Sequence, residues 1–145
     1  MNFELSEEQK MIQQSVERFV KDNYDLTTRI KLSADENGYS VEYWNSMAEL
    51  GWLGLPFGES DGGFGGNQID TLIVMEQFGR GLVLEPYLAS VIMGGGAIKR
   101  GGSDALKAEI LPKLIEGKRQ LSFAYAEPQS RFDLDDVVTS ARKEG

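Results

Sequence analysis

The sequence predicts a mainly α-helical protein, an orthogonal or up-and-down bundle of about five to six helices that ends in one or two short β-strands. Three observations carry this. Apolar residues recur at three- and four-residue spacing in successive stretches up to residue 118. Most of these stretches open on a serine or asparagine able to cap a helix and close on a glycine. The period then changes: in Leu121-Ser122-Phe123-Ala124-Tyr125-Ala126 large and small residues alternate, the two-residue period of a strand, and Pro128 stops it. A lone strand is marginal in water and needs a sheet. Residues 1–118 are therefore expected to form a helical domain, and 119–145 a remnant whose strand pattern lacks a sheet to join.

The first helix is expected from about Glu7 to Asn23. Ser6 and Gln9 have capping-box spacing, Glu7 and Glu8 sit at the positive end of the dipole, and Ile12, Val16, Phe19 and Val20 form one stripe. Residues 25–37 are polar with widely spaced apolar positions and read as a short helix or a loop. Ser40 caps a second helix with Trp44, Met47, Ala48 and Leu50 on one face, ended by Gly51. The connection Gly51-Trp52-Leu53-Gly54-Leu55-Pro56 is apolar enough to thread between helices rather than over the surface.

Asp61-Gly62-Gly63-Phe64-Gly65-Gly66 matches neither phosphate-loop spacing, so it reads as a tight loop or as a place of close approach by a cofactor or substrate. Asn67 caps a third helix that is apolar on more than one face and therefore central, closed by Gly79 or Gly81. After Pro86 comes an uncharged run, Tyr87 to Met93, and then Gly94-Gly95-Gly96, which signals close helix packing or room for an apolar group. Ser103 and Asp104 start the last helix, which Pro112 should kink or restart and Gly117 ends. Residues 137–141 read as a second, weaker strand, and Lys143-Glu144-Gly145 as the beginning of a turn.

Composition narrows the chemistry. The 145 residues are 41% hydrophobic and 26% charged, an ordinary globular balance. There is no cysteine and no histidine, so thiolate ligation, disulfides and imidazole bases are excluded, and no metal site is expected. The net charge of -8 argues against nucleic-acid binding. The basic pairs Lys99-Arg100 and Lys118-Arg119 read as solvated helix ends. No apolar run approaches the ~18 residues of a membrane span and no signal peptide is visible, so a cytoplasmic protein is expected.

In this order the segments resemble the amino-terminal part of the acyl-CoA dehydrogenases. The resemblance rests on the opening Ser-x-x-Gln helix, Ala48-Glu49-Leu50-Gly51-Trp52-Leu53-Gly54-Leu55-Pro56, Gly62-Gly63-Phe64-Gly65-Gly66, Glu76-Gln77-Phe78-Gly79-Arg80, Leu111-Pro112-Lys113-Leu114 with Gly117, and Ala126-Glu127-Pro128. It implies an N-terminal helical domain followed by the first strands of a middle β-domain, in a chain more than twice this long. It also implies a flavoprotein oxidoreductase of fatty acid metabolism that removes an α-proton and a β-hydride from an acyl-CoA thioester, leaving a trans-2-enoyl-CoA and reduced FAD. Electron-transfer flavoprotein or a similar acceptor, and further subunits in a homo- or hetero-oligomer, are the implied partners.

The family's catalytic base lies in the C-terminal part of the chain, so no residue here is expected to be catalytic. Its flavin motif, aromatic-x-x-Thr-Glu-Pro-x-Ala-Gly-Ser-Asp, maps Phe123, Tyr125, Ala126, Arg131 and Phe132 to cofactor-binding positions. Ala126 replaces the threonine, and Arg131 and Phe132 replace the glycine and serine near the pyrophosphate, so weakened FAD affinity is implied, with none expected of residues 1–145 alone. These departures resemble members that act as one subunit of a heteromeric enzyme. The acyl tail is implied to lie near 84–98, making Tyr87, Met93, Gly94 and Gly95 the substrate-binding residues.

Overall fold

The computed structural model describes residues 4–142 and Glu144, and its described residues form six α-helices, two 3-10 turns and one π-helix. The helices are α1 (Glu7–Asn23), α2 (Leu26–Ser33), α3 (Val41–Glu49), α4 (Gln68–Gly81), α5 (Gly96–Gly101) and α6 (Asp104–Ile115), with the π-helix Tyr87–Gly95 running directly into α5.

Helices α1 and α4 lie side by side and run parallel. Their N-termini are joined by side chains that also cap them. Gln9 accepts from the Ser6 amide and donates through Nε2 to Asp70 Oδ1 at 3.0 Å, while Asp70 accepts from the Asn67 amide at 2.7 Å. Two capping boxes, which satisfy orphan amides of both helices, are thus joined by one partly buried link. At the other end Gly81 lies under Val20: a Cβ there would come within 2.2 Å of Val20 Cγ1.

The core is knitted by edge-on aromatic contacts. Phe19 of α1 meets Trp52 at 5.3 Å, Trp52 meets Phe78 of α4 at 5.9 Å, and Phe78 meets Tyr87 of the π-helix at 5.3 Å between ring centroids. Each such pair adds ~0.5–1.5 kcal/mol to the area it buries. The 51–56 connection does thread through the interior, with Trp52 and Leu53 buried and the Tyr87 hydroxyl donating to the Trp52 carbonyl at 3.1 Å. Trp44 Nε1 donates to the Gly117 carbonyl at 2.9 Å and fastens α3 to the end of α6.

A second buried polar link ties three elements. The Glu85 carboxylate accepts from the Tyr24 hydroxyl after α1 and from the Ser40 amide before α3, and Glu85 itself leads into the π-helix. Burial, reinforced by the Glu85 carboxylate, pushes the Tyr24 hydroxyl well above the usual phenol range, so it stays a donor.

The glycine-rich segments serve packing. Gly63 and Gly66 lie against the backbone of 54–57, where added Cβ atoms would fall 2.4 Å from the Phe57 carbonyl oxygen and 2.7 Å from that of Leu55. Of the two readings of 61–66, the tight loop is the one this geometry supports. Beside Gly94 and Gly95 the space is likewise taken. A Cβ at Gly94 would sit 2.6 Å from Leu121 Cβ, and one at Gly95 would sit 2.6 Å from Phe57 Cζ and 2.7 Å from Leu114 Cδ2.

Three expectations need correction or completion. Residues 25–37 begin as a helix, because Asp25 accepts from the Thr27 and Thr28 amides, and then turn. Helix α6 passes through Pro112 without restarting, since the proline sits one turn from the end and the fully buried Leu111 and Leu114 hold that turn in place. The strands expected at 121–127 and 137–141 are absent among the described residues: neither finds a ladder partner, and the first is broken where the Tyr125 amide donates to the Phe123 carbonyl at 3.0 Å. The turn expected over Lys143-Glu144-Gly145 falls on residues outside those described, Glu144 apart.

The glycine geometry gives a paired prediction. Gly95→Ala should destabilise the fold by ~1–3 kcal/mol through overpacking against Phe57 and Leu114. Gly79→Ala, in the last turn of α4 with open space at its Cβ, should stabilise by ~0.5 kcal/mol. Urea unfolding of both variants checks this; equal effects would contradict the packing assigned to Gly95.

Candidate functional site

The site begins where the chain leaves α6 and lies down against the π-helix. Lys118 and Arg119 turn back onto the Lys113 carbonyl after Gly117, which adopts φ 73°. Leu121 then docks. Its amide donates to Ser90 Oγ at 2.9 Å, Ser90 is fully buried, and the Leu121 side chain fills the hollow over Gly94. This brings one substrate-position residue, Gly94, directly under the start of the flavin-position segment. Gly95 faces Phe57 and Leu114 instead, and Tyr87 is a core residue with its ring on Phe78 and its hydroxyl on Trp52. Burial drives the Tyr87 hydroxyl above the usual phenol range, so it does not ionise there. Met93 is half-buried.

Beyond Leu121 the chain is exposed. Phe123 and Tyr125 are each half exposed and stand 6.0 Å apart between ring centroids. Ala126 offers no side-chain donor.

A closed loop follows, organised by Glu127. Its carboxylate accepts from the Val138 amide at 2.9 Å, the Thr139 amide at 3.1 Å, the Thr139 hydroxyl and Gln129 Nε2 at 2.6 Å. These donors, led by the Thr139 hydroxyl and Gln129, hold the carboxyl at about 2, well below its ordinary 4.5. At the far side Ser130 is buried and its hydroxyl donates back to the Glu127 carbonyl at 3.0 Å. Arg131 adopts φ 49°, the left-handed conformation that favours glycine. Phe132 is 98% exposed.

The five expected cofactor positions thus lie along one exposed segment, while three of the four substrate positions are buried by this chain's own packing. Reading the sequence missed Ser90 and Glu85 as organisers. Both carried a signal, being polar residues within or beside an uncharged run. Among the described residues no cluster of acidic side chains could hold a metal ion, and no helix is long and apolar enough to cross a membrane.

A helical domain of this topology, with an extended segment laid across a glycine-rich π-helix, defines the class, and comparison with known proteins gives the family. The model for "Acyl-CoA dehydrogenase, N-terminal domain" matches residues 6–118, and the chain belongs to that family. It is 30% identical over 147 residues to the probable acyl-CoA dehydrogenase YngJ of Bacillus subtilis, a match covering 100% of this chain and 38% of that protein. Among solved structures it is similar to an acyl-CoA dehydrogenase complexed with FAD from Bacillus anthracis, with a TM-score of 0.80 and 30% identity over 90% of this chain and 22% of that one. It is also similar to the ChsE4-ChsE5 complex from Mycobacterium tuberculosis, with a TM-score of 0.77 and 27% identity over 84% of this chain and 34% of that one. The chain spans little more than a third of YngJ's length.

Glu127 supplies the prediction here. Its folded pKa is depressed, so its contribution to loop order is present above about 4.5 and is lost as pH falls through about 2. Val138 and Thr139 amides should therefore keep their exchange protection at pH 5 and lose it towards pH 2, and Glu127→Gln should lose it at both. Measured by hydrogen exchange with NMR, equal protection in wild type and variant at pH 5 would show that the carboxylate does not hold the loop.

Proposed function

We propose that this chain is the N-terminal part of a subunit of an FAD-dependent acyl-CoA dehydrogenase, which converts an acyl-CoA thioester to the trans-2-enoyl-CoA and passes electrons to an electron-transfer flavoprotein or a similar acceptor. The observation that carries the reading, beside the family match, is the seating of Leu121 on Gly94 and Ser90. The segment that would face the flavin in this reading lies against the helix that would line the acyl tail. In this reading the catalytic carboxylate and the larger part of the flavin site belong to the portion of the relatives that this chain does not span.

The role left to these residues is positioning. The π-helix would give one wall of an acyl site, its buried packing would exclude water behind that wall, and the exposed backbone of 122–126 would be the part available to hold the flavin. FAD, when bound, supplies the acceptor for the β-hydride. Because Leu121 fills the space over Gly94, and Phe57 and Leu114 that beside Gly95, discrimination between acyl groups falls to Met93 rather than to an open glycine pocket. Met93→Phe in the full-length enzyme should shift the preference towards shorter acyl chains, read as kcat/KM across a chain-length series. An unchanged profile would remove Met93 from the pocket.

A second reading is favoured by the loop after Pro128. It does not fit a flavin pyrophosphate: the Ser130 hydroxyl is spent on Glu127, and Phe132 presents only carbon to solvent. A subunit that assembles with a flavin-binding partner accounts for this, and the likeness to a complex of two chains supports it. The visible spectrum of the full-length protein purified alone separates the two. A yellow protein bleached by an acyl-CoA supports self-sufficient catalysis, whereas a colourless one that gains both properties with a second chain supports the heteromeric reading. Phe132→Ser should tighten FAD binding by roughly fivefold, the worth of about one net hydrogen bond. No change would mean that the loop does not face the cofactor.

A further inference from the structure

A cleft of about 550 Å³ opens between the N-terminal end of α4 and the side of α5, floored by Pro56, Phe57, Val91 and Ile92. Its size is that of a small-molecule site. Its rim is formed by Lys99 and Arg100, with the side chains of Asn67, Gln68 and Thr71 opposite, and no acidic residue lines it.

Among the described residues neither cation forms an ion pair, although the protein carries a net charge of -8. Lys99 is held in place through one donor, which binds the Pro56 carbonyl at 2.7 Å, and keeps two. The Arg100 guanidinium folds back towards Gly96, where an added Cβ would lie 3.3 Å from Nη1. A position in the last turn of α5 explains why cations are tolerated there, because they meet the negative end of the helix dipole. It does not explain why both border a cleft with an apolar floor and no anion.

We infer that this cleft binds an organic phosphate, a phosphomonoester whose apolar body rests on Pro56 and Ile92 while its phosphate is held between Lys99 and Arg100. The charge count selects the phosphate. A phosphomonoester carries about -1.5 to -2 at neutral pH, matched by two adjacent cations, and the arginine fork presents paired donors to its oxygens. A carboxylate would leave one cation unmatched. The inference stands apart from the reading of the 121–139 segment, since it uses none of those residues.

Titration of the protein with phenyl phosphate, followed by amide shifts in NMR, tests it. Saturable shifts are expected at Thr71, Ile92 and Arg100, with weaker binding of inorganic phosphate and of benzoate. Arg100→Gln should weaken phenyl phosphate at least about tenfold, the loss of a charge-assisted hydrogen bond. Gln68→Glu places a carboxylate in the cleft at the first turn of α4, where it favours the helix dipole and leaves the fold intact, and it should abolish binding. Absence of saturable shifts at millimolar phenyl phosphate, or full affinity in both variants, would overturn the assignment. Inorganic phosphate binding as tightly as phenyl phosphate would overturn the role of the apolar floor, and benzoate binding as tightly would overturn the choice of phosphate.

Discussion

The close seating of the π-helix is the constraint on which the rest of the molecule depends. Gly94 and Gly95 let its backbone approach Leu121, Phe57 and Leu114 at distances no side chain would permit. That approach lets Tyr87 reach Phe78 and the Trp52 carbonyl, which joins the element to α4 and to the threaded connection. Glu85 fixes its start through Tyr24 and Ser40. A π-helix forfeits the regular i→i+4 pairing and is rare in isolation, so surrounding contacts must hold it. Here they come from α4, α6, the threaded 51–57 connection and the segment after α6.

Where side chains announce a helix end, the chain was legible. Ser6, Ser40, Asn67 and Ser103 each cap the helix expected of them, and the first helix runs over Glu7–Asn23 as its stripe predicts. The tail was misread for a physical reason. Alternation in 121–126 encodes a preference for extended backbone, but a strand also requires a partner edge, and none is available among the described residues. The unusual winding of 87–95 was also hidden, because an apolar run without charges has no face to display its period. Ser90 and Glu85 stand out locally as polar residues within or beside an uncharged run, but their partners lie 31 to 61 residues away in sequence, which no local pattern reports.

The loop after Pro128 separates backbone from side-chain information. Arg131 keeps a left-handed conformation at the position where the family motif carries glycine, at a cost of about 1 kcal/mol. The turn of the motif is thereby retained while two of its polar side chains are not: Ala126 carries no hydroxyl and Phe132 turns outward, and the Glu127 carboxylate is occupied by Thr139, Val138 and Gln129. Retained shape with altered chemistry is what a subunit would show if it kept the family fold and assembly while the cofactor's phosphates were held elsewhere.

All of this turns on Leu121 being anchored to the π-helix in solution. Amide hydrogen exchange at single-residue resolution measures that anchor directly. The account predicts that the Leu121 amide, bonded to the buried Ser90 hydroxyl, exchanges far more slowly than those of Ser122 and Ala124, and that Ser90→Ala removes the difference. A Leu121 amide that exchanges as fast as its exposed neighbours in the wild-type protein would contradict it.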